Sequence, residues 1–348
     1  MTTLRATRHA TNTLAPVRTA STWQPADLGG LEALVLRVGS PEVDGLLAAV
    51  ASVRGCHAHP EAVPRAAFRY EARLAALFSR LRARLRDGPG AVLLRGLPVL
   101  PAADASWLLW ALGAGLGDAE PQDAAGALLH HVRDAGAQVT DADHVRGFET
   151  NGALDFHNDG GEVFALYCVA GPRRGGDSLI VSAGALFNEM LRLRPDLAAV
   201  LLERIDFDTR AQHRHGQPRL QRAPIFVHEA GRIWVLYKRG YIHLGQRFPE
   251  AHRLSAAQVE AMDLLDALCR DPRFHLRFRL CPGDVQLANN FTMLHARTAF
   301  EDGGGSARHL LRLWLSLDDG TDVPDAYAAT REFAGTWRRR RGLAAAQP

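Results

Sequence analysis

The stretch Asp155-Phe-His-Asn-Asp-Gly160 carries the strongest hint of chemistry in this 348-residue chain. In an extended strand residues two apart share a face, so His157 points the same way as Asp155 and Asp159. An imidazole beside a carboxylate suits a divalent transition metal. Taken alone, an H-x-D pair reads more readily as a satisfied surface pair than as a metal site, and spacing does not choose between the two aspartates. A third ligand has to come from elsewhere. The candidate is His295, within Asn289-Asn-Phe-Thr-Met-Leu-His-Ala-Arg-Thr298. Two histidines and one carboxylate on one side of an ion form the facial triad of non-haem Fe(II) oxygenases, with positions left open for substrate, cosubstrate and O₂.

Beyond His295 comes Arg308-His-Leu-Leu-Arg312, running into Leu313-Trp-Leu-Ser316. As a strand this puts Arg308, Leu310, Arg312 and Trp314 on one face. Arginine on the inner face of an apolar strand is costly unless it meets an anion, and its guanidinium grips carboxylates through paired hydrogen bonds.

The order H-x-D, Gly-Gly-Asp-Ser at 175–178, a distal His, then R-x-x-x-R resembles the taurine dioxygenase (TauD/TfdA) family, with a clavaminate synthase-like flavour. The resemblance covers roughly residues 90–318 and is strongest at 155–182 and 281–316. It implies an Fe(II)- and 2-oxoglutarate-dependent oxygenase on a double-stranded β-helix, a distorted jelly roll related to the cupins. It further implies His157, Asp159 and His295 as iron ligands, which selects Asp159 over Asp155. Arg308 would pair with the far carboxylate of 2-oxoglutarate, with Ser178 as a hydroxyl donor to it. Arg312 would reach the other cosubstrate carboxylate or an anionic group of the substrate. The reaction implied is oxidative decarboxylation of 2-oxoglutarate by O₂, coupled to hydroxylation, desaturation or cyclisation at a substrate C–H. Formal charge agrees: iron, one Asp and two Arg exceed dianionic 2-oxoglutarate by enough to accept an anionic substrate.

The elements that must position these residues are legible in outline. The spacing of Phe68, Ala72, Ala75, Ala76, Leu77 and Leu81 predicts a helix over 65–86, stopped by Asp87-Gly-Pro-Gly90. A buried strand at 91–94 and a helix at 102–116 follow. Residues 118–148 read as loop, and 28–60 give no clear pattern. Short β segments then recur at 163–169, 178–182, 225–227, 233–237, 275–280, 285–287 and 309–317, punctuated by Gly, Pro and Asn. Helices at about 184–203 and 255–270 interrupt them, the second with Ser255 as N-cap. This mostly-β pattern after a helical start predicts a jelly-roll core with flanking helices. The expected organisation is a loose arm at 1–27, a single oxygenase domain at 28–320 (helical part 28–117, jelly-roll core about 90–318) and a basic tail at 321–348 whose Arg338-Arg-Arg-Arg341 is a solvated end.

Composition narrows the classes. Forty-one basic side chains against 38 acidic ones, net +3, are too even for a dedicated nucleic-acid binder. Lys238 is the single lysine, a bias attributable to a GC-rich genome. Cys56, Cys168, Cys269 and Cys281 form no CxxC pair, which excludes a cysteine zinc cage and suits a reducing cytoplasm. No apolar run reaches the roughly 18–20 residues that span a bilayer. The expected partner is a small anionic or zwitterionic molecule, an amino acid or natural-product intermediate, with neither nucleic acid nor membrane.

Other residues invite plainer readings. His130-His131 and His213-Arg-His215 lack a third ligand and read as structural. Gly113-Ala-Gly-Leu-Gly117 follows a helix rather than a strand, which rules out a dinucleotide loop. Tyr237-Lys-Arg-Gly-Tyr241 reads either as pocket wall or as a hairpin turn. Arg297 and Asp302 read as a pair behind His295 or as a surface ion pair. Two further functions compete: a zinc hydrolase or lyase on a cupin-like barrel, and a ligand-binding barrel without catalysis. The paired inner arginines and Ser178 argue against the first, since hydrolysis needs no dicarboxylate clamp.

Overall fold

The computed structural model describes residues 14–136, 150–212, 218–305 and 307–343. Two sheets face each other. The larger runs in the order Val35–Arg37, Ala91–Arg95, Val285–Asn289, Val163–Ala170, His309–Leu317, Gly117–Ala119, with Leu129–Val132 also paired to His309–Leu317. The smaller runs His275–Phe278, Ser178–Ser182, Met293–Arg297, Leu154–His157, antiparallel throughout. This is the jelly-roll arrangement expected from the strand pattern, with helices outside it.

The central strands of the larger sheet are apolar on both faces because both faces are covered. Val163, Ala165 and Tyr167, with Leu311, Leu313 and Leu315, pack against the helices Ser40–Arg54, Ala72–Arg86 and Ala102–Leu116. Phe164, Leu166, Leu310 and Trp314 face inward and share a core with Ile180, Met293 and Leu276 of the smaller sheet. Helix Ala102–Leu116 lies hard against its neighbours. A methyl at Gly115 would fall inside the Phe78 ring, and one at Gly113 would strike the Leu313 side chain. Close helix packing therefore explains the Gly-rich run.

Several expectations change. The helix expected over 65–86 begins only at Ala72, because Arg65–Ala67 forms a 3-10 turn and the chain extends through Phe68 before re-entering. Residues 40–54, unassigned from sequence, are a helix. The segment 184–203 divides into Ala183–Leu193 and Pro195–Val200, split at a proline. Helix Ala256–Arg270 starts at Ser255, whose hydroxyl accepts from Gln258 N. The strand Met293–Arg297 was not anticipated.

Both ends of the described chain are anchored. In the arm expected to be loose, Val17 and Trp23 are buried, and Val17 exchanges two 2.8 Å hydrogen bonds with the Asn188 side chain. The C-terminal segment is likewise not a solvated end. Tyr327 and Phe333 are fully buried, Arg340 pairs with buried Glu162, and Arg339 meets Asp118 at 3.0 Å. Arg339 and Arg340 read as solvated because their carboxylate partners stand more than a hundred residues away in the chain, whereas Arg341 meets the nearer Asp325 at 2.6 Å. Among the described residues no helix is long and apolar enough to cross a membrane.

Candidate active site

Strand pairing brings the two histidines together. His295, central in Met293–Arg297, lies directly across from His157, the last residue of Leu154–His157. Their ring centroids are 4.3 Å apart. Asp159 follows in a turn that two asparagines staple in place. Asn158 donates to Val235 O and Asn290 O at 3.0 and 3.1 Å and accepts from Tyr237 N at 2.8 Å. Asn290 accepts from Asp159 N at 3.1 Å and donates to Gly160 O at 2.9 Å. Gly160 is required there, since a Cβ would sit 2.5 Å from the Trp314 ring, and Gly161 takes a left-handed φ of 69°. One donor atom from each of His157, Asp159 and His295 lies within 4.8 Å of the others.

The protonation states suit a cation. His157 Nδ1 is 2.7 Å from Asp155 O, so Nδ1–H donates there and Nε2 keeps its lone pair. Burial pushes both imidazoles below their ordinary range, and each histidine's neighbours add to or oppose this; for His295 the nearby His157 lowers it further. Burial pushes the Asp159 carboxyl up, but Arg312 and the two histidines outweigh it and hold the group well below the usual range. Two neutral imidazoles and an ionised carboxylate are the donor set that Fe(II) takes in a facial triad, and the buried His295 Nδ1 has no partner among the described residues. Asp155 is exposed, with its carboxylate 3.3 Å from Arg270.

Arg312 stands behind the carboxylate. Its Nη1 donates to both Asp159 oxygens at 3.1 Å, its Nε donates to Gln122 Oε1 at 2.7 Å, and Gln122 Nε2 returns to Arg312 O at 2.8 Å. As the alternation predicted, Arg308, Leu310 and Arg312 line one wall, here of a cavity of about 300 Å³. The triad occupies one end of it. At the other end stand Arg308, Arg297 and Ser178, all buried. Ser178 lies directly across from Arg297 in the smaller sheet. Arg308 Nη1 is buried without an acceptor, and burial pushes this guanidinium down to about 10. The expected Arg297–Asp302 pair does not form. Asp302 accepts from the backbone N of Arg308 at 2.8 Å instead, and Arg297 donates to backbone carbonyls.

Residues 238–241 are pocket wall, and they open helix Arg239–Gly245 rather than turning a hairpin, while Tyr237 is buried behind them. Lys238 lines the cavity with its Nζ 2.7 Å from buried Glu332 Oε1. Burial raises the Glu332 carboxyl, but Lys238 and then Arg331 bring it down to about 2. His130 pairs with Asp123 at 2.9 Å and stands directly across the ladder from Arg312, and His131 meets His309 at 2.8 Å; neither belongs to the metal-ligand cluster found among the described residues. His213 and His215 lie outside the described residues. Gln122, Asn158, Asn290 and Glu332 escaped sequence reasoning. Only Asn158 carried a signal, sitting beside the H-x-D pair on the opposite alternation.

The chain matches the family described as "Taurine catabolism dioxygenase TauD, TfdA family" over residues 56–314. It is 31% identical over 260 residues to FR-33289 synthase of Streptomyces rubellomurinus (strain ATCC 31215), covering 71% of this chain and 75% of that one. It is 28% identical over 185 residues to the uridine-5'-phosphate dioxygenase of Amycolatopsis sp, covering 49% and 63%. In fold it is similar to asparagine oxygenase, solved with Fe(II), 2S,3S-3-hydroxyasparagine and succinate (TM-score 0.62, 19% identity, 81% of this chain and 94% of that one). It is also similar to the non-haem iron oxygenase OrfP, solved with Fe and alpha-ketoglutaric acid (TM-score 0.60, 13% identity, 82% and 94%). The sequence match, which extends through the strand bearing His295 and on to Trp314, makes this chain a member of the TauD/TfdA family, an Fe(II)- and 2-oxoglutarate-dependent dioxygenase.

Proposed function

We propose that His157, Asp159 and His295 hold the iron, that Arg308 with Ser178 grips the far carboxylate of 2-oxoglutarate, and that the enzyme hydroxylates a C–H of a small anionic or zwitterionic molecule, an amino acid or natural-product intermediate. One observation carries the reading. A single cavity holds a two-histidine, one-carboxylate cluster at one end and, at the other, a buried arginine whose Nη1 has no acceptor. A dicarboxylate that chelates at one end and reaches the arginine with the other fits that arrangement.

Fe(II) with 2-oxoglutarate and O₂ supplies the oxidising power, and succinate and CO₂ are the by-products. The chain's own residues do the rest. The Asp155 carbonyl fixes the tautomer of His157. Arg312 and Asn290 hold Asp159 in orientation and keep it ionised. The apolar wall of Leu166 and Leu310 excludes water between the two ends. Arg312, assigned by resemblance to a cosubstrate or substrate anion, here engages Asp159, so its first task is to position that carboxylate. The oxygenases named for uridine-5'-phosphate, and those solved with hydroxyasparagine or arginine, support a small polar substrate. The four cysteines are all free, which fits work in the cytoplasm.

The test is succinate release by the Fe(II)-loaded protein across amino acids, their derivatives and phosphorylated small molecules. Stimulation by one class above the uncoupled rate is expected. No turnover of 2-oxoglutarate under any condition, or activity retained with Zn(II) in place of iron, would overturn the reading.

A further inference from the structure

The geometry points to Arg297 as a second anchor for the far carboxylate of 2-oxoglutarate, acting together with Arg308 rather than as a merely structural residue. This rests on the cavity being the cosubstrate site.

Arg297 follows His295 by two residues and shares its strand face, about 7 Å further from the triad at ~3.3 Å per residue. Its side chain lines the same cavity and is 5% exposed. One nitrogen has work inside the protein: Nη2 donates to the carbonyls of Thr150, at 2.8 Å, and of Gly152. Nε and Nη1 are buried and have no acceptor among the described residues. Arg308 approaches from the facing sheet. Its guanidinium carbon lies 5.2 Å from the Phe300 ring centroid, and that of Arg297 lies 4.8 Å from the same centroid. No carboxylate forms an ion pair with either guanidinium among the described residues.

Two buried like charges with three unmet N–H-bearing nitrogens between them are a costly arrangement, sustained only when an anion completes it. A carboxylate offers about four lone-pair sites, enough for both arginines and for the Ser178 hydroxyl across the strand. The distance along the strand suits a five-carbon diacid whose other end reaches the triad. A backbone-holding role alone explains Nη2 and leaves Nε and Nη1 without an acceptor among the described residues.

Calorimetric titration of the anaerobic Fe(II)-loaded protein separates the two roles. The ligands are 2-oxoglutarate and 2-oxopentanoate, which keeps the chelating end and replaces the far carboxylate with a methyl. The quantity read is the ratio of their Kd values. Arg297→Met is expected to shrink that ratio about 10- to 100-fold, the size of one charge-assisted hydrogen-bonding partner. Affinity for 2-oxopentanoate should change by no more than about threefold. If both ligands weaken in parallel and the ratio holds, Arg297 is structural and the inference fails. If Arg297→Met does not fold, Arg297→Gln is judged by the same two outcomes. Arg308→Met guards the underlying reading. Should it also leave the ratio unchanged, the far carboxylate lies elsewhere; a ratio that collapses in Arg308→Met and holds in Arg297→Met sinks only the role of Arg297.

Discussion

The two ends of the cavity solve opposite electrostatic problems. At the triad end the carboxylate of Asp159 already has Arg312, the Lys238 ammonium has Glu332, and His157 Nδ1 has a carbonyl. At the far end Arg308 and Arg297 line the cavity and carry buried nitrogens that have no acceptor among the described residues. Apart from His295 Nδ1, the first end is held in place by internal partners. On the proposed reading the second is stabilised by the anion that binds there, so its arginines should weaken the ligand-free fold and strengthen the loaded one.

The largest effect tests the self-partnered end. His157→Ala, Asp159→Ala and His295→Ala should each reduce iron-dependent succinate formation to background and remove the bound iron measured by metal analysis. Asp159→Ala should also lower the Tm of the metal-free protein, because it strands buried Arg312, a loss on the order of 3–5 kcal/mol. Equal Tm values for wild type and Asp159→Ala would show that the pair contributes nothing to the fold.

The contrast is sharpest at Arg308. Arg308→Met should raise the KM for 2-oxoglutarate about 100-fold or more, the consequence of losing a buried charge partner. It should nevertheless leave the ligand-free Tm unchanged or a few degrees higher, and abolish the Tm gain that saturating 2-oxoglutarate gives wild type, about 2.7 kcal/mol at 100 times Kd. A ligand-free Tm that falls in this variant would mean that Arg308 is matched inside the protein and the two ends do not differ.

A third measurement returns to the self-partnered end through pH. The Glu332 carboxyl is held at about 2, below its ordinary 4.5, so its stabilisation is whole above pH 4.5 and drains as pH falls toward 2. Glu332→Gln should be less stable than wild type at pH 7, and the gap should close on acidification below pH 4.5, as read by Tm across the range. A gap constant with pH would remove the charge from the explanation.

Smaller effects bracket the rest. Ser178→Ala should raise the KM for 2-oxoglutarate about tenfold, through one hydrogen bond of about 1–2 kcal/mol to a charged acceptor. Asp155→Ala should change turnover by about twofold at most, since the exposed Arg270 contact is weak and the carbonyl that orients His157 survives the substitution. A loss of iron in Asp155→Ala with retention in Asp159→Ala would reverse the ligand assignment.

By itself the sequence determined most of the strands, the helices ending at Arg86, Leu116 and Arg270, and the alternation that sets Arg308, Leu310 and Arg312 on one wall. These are local properties, since side-chain period and turn residues act over a few positions. It also offered the three metal-cluster residues, although choosing Asp159 over Asp155 needed the family resemblance. Tertiary structure decided what each charge meets. Asp159 and Arg312 stand 153 residues apart, Lys238 and Glu332 stand 94 apart, and Glu162 is covered by Arg340 across 178. Whether a buried arginine is matched within the protein or left for a ligand depends on which strand faces which, and periodicity along one chain segment carries no record of that. For the same reason the tail read as solvated, Arg297 was joined to Asp302, and the asparagines that fix the Asp159 turn went unseen: their energies come from partners that only the folded sheet brings within 3 Å or so of them.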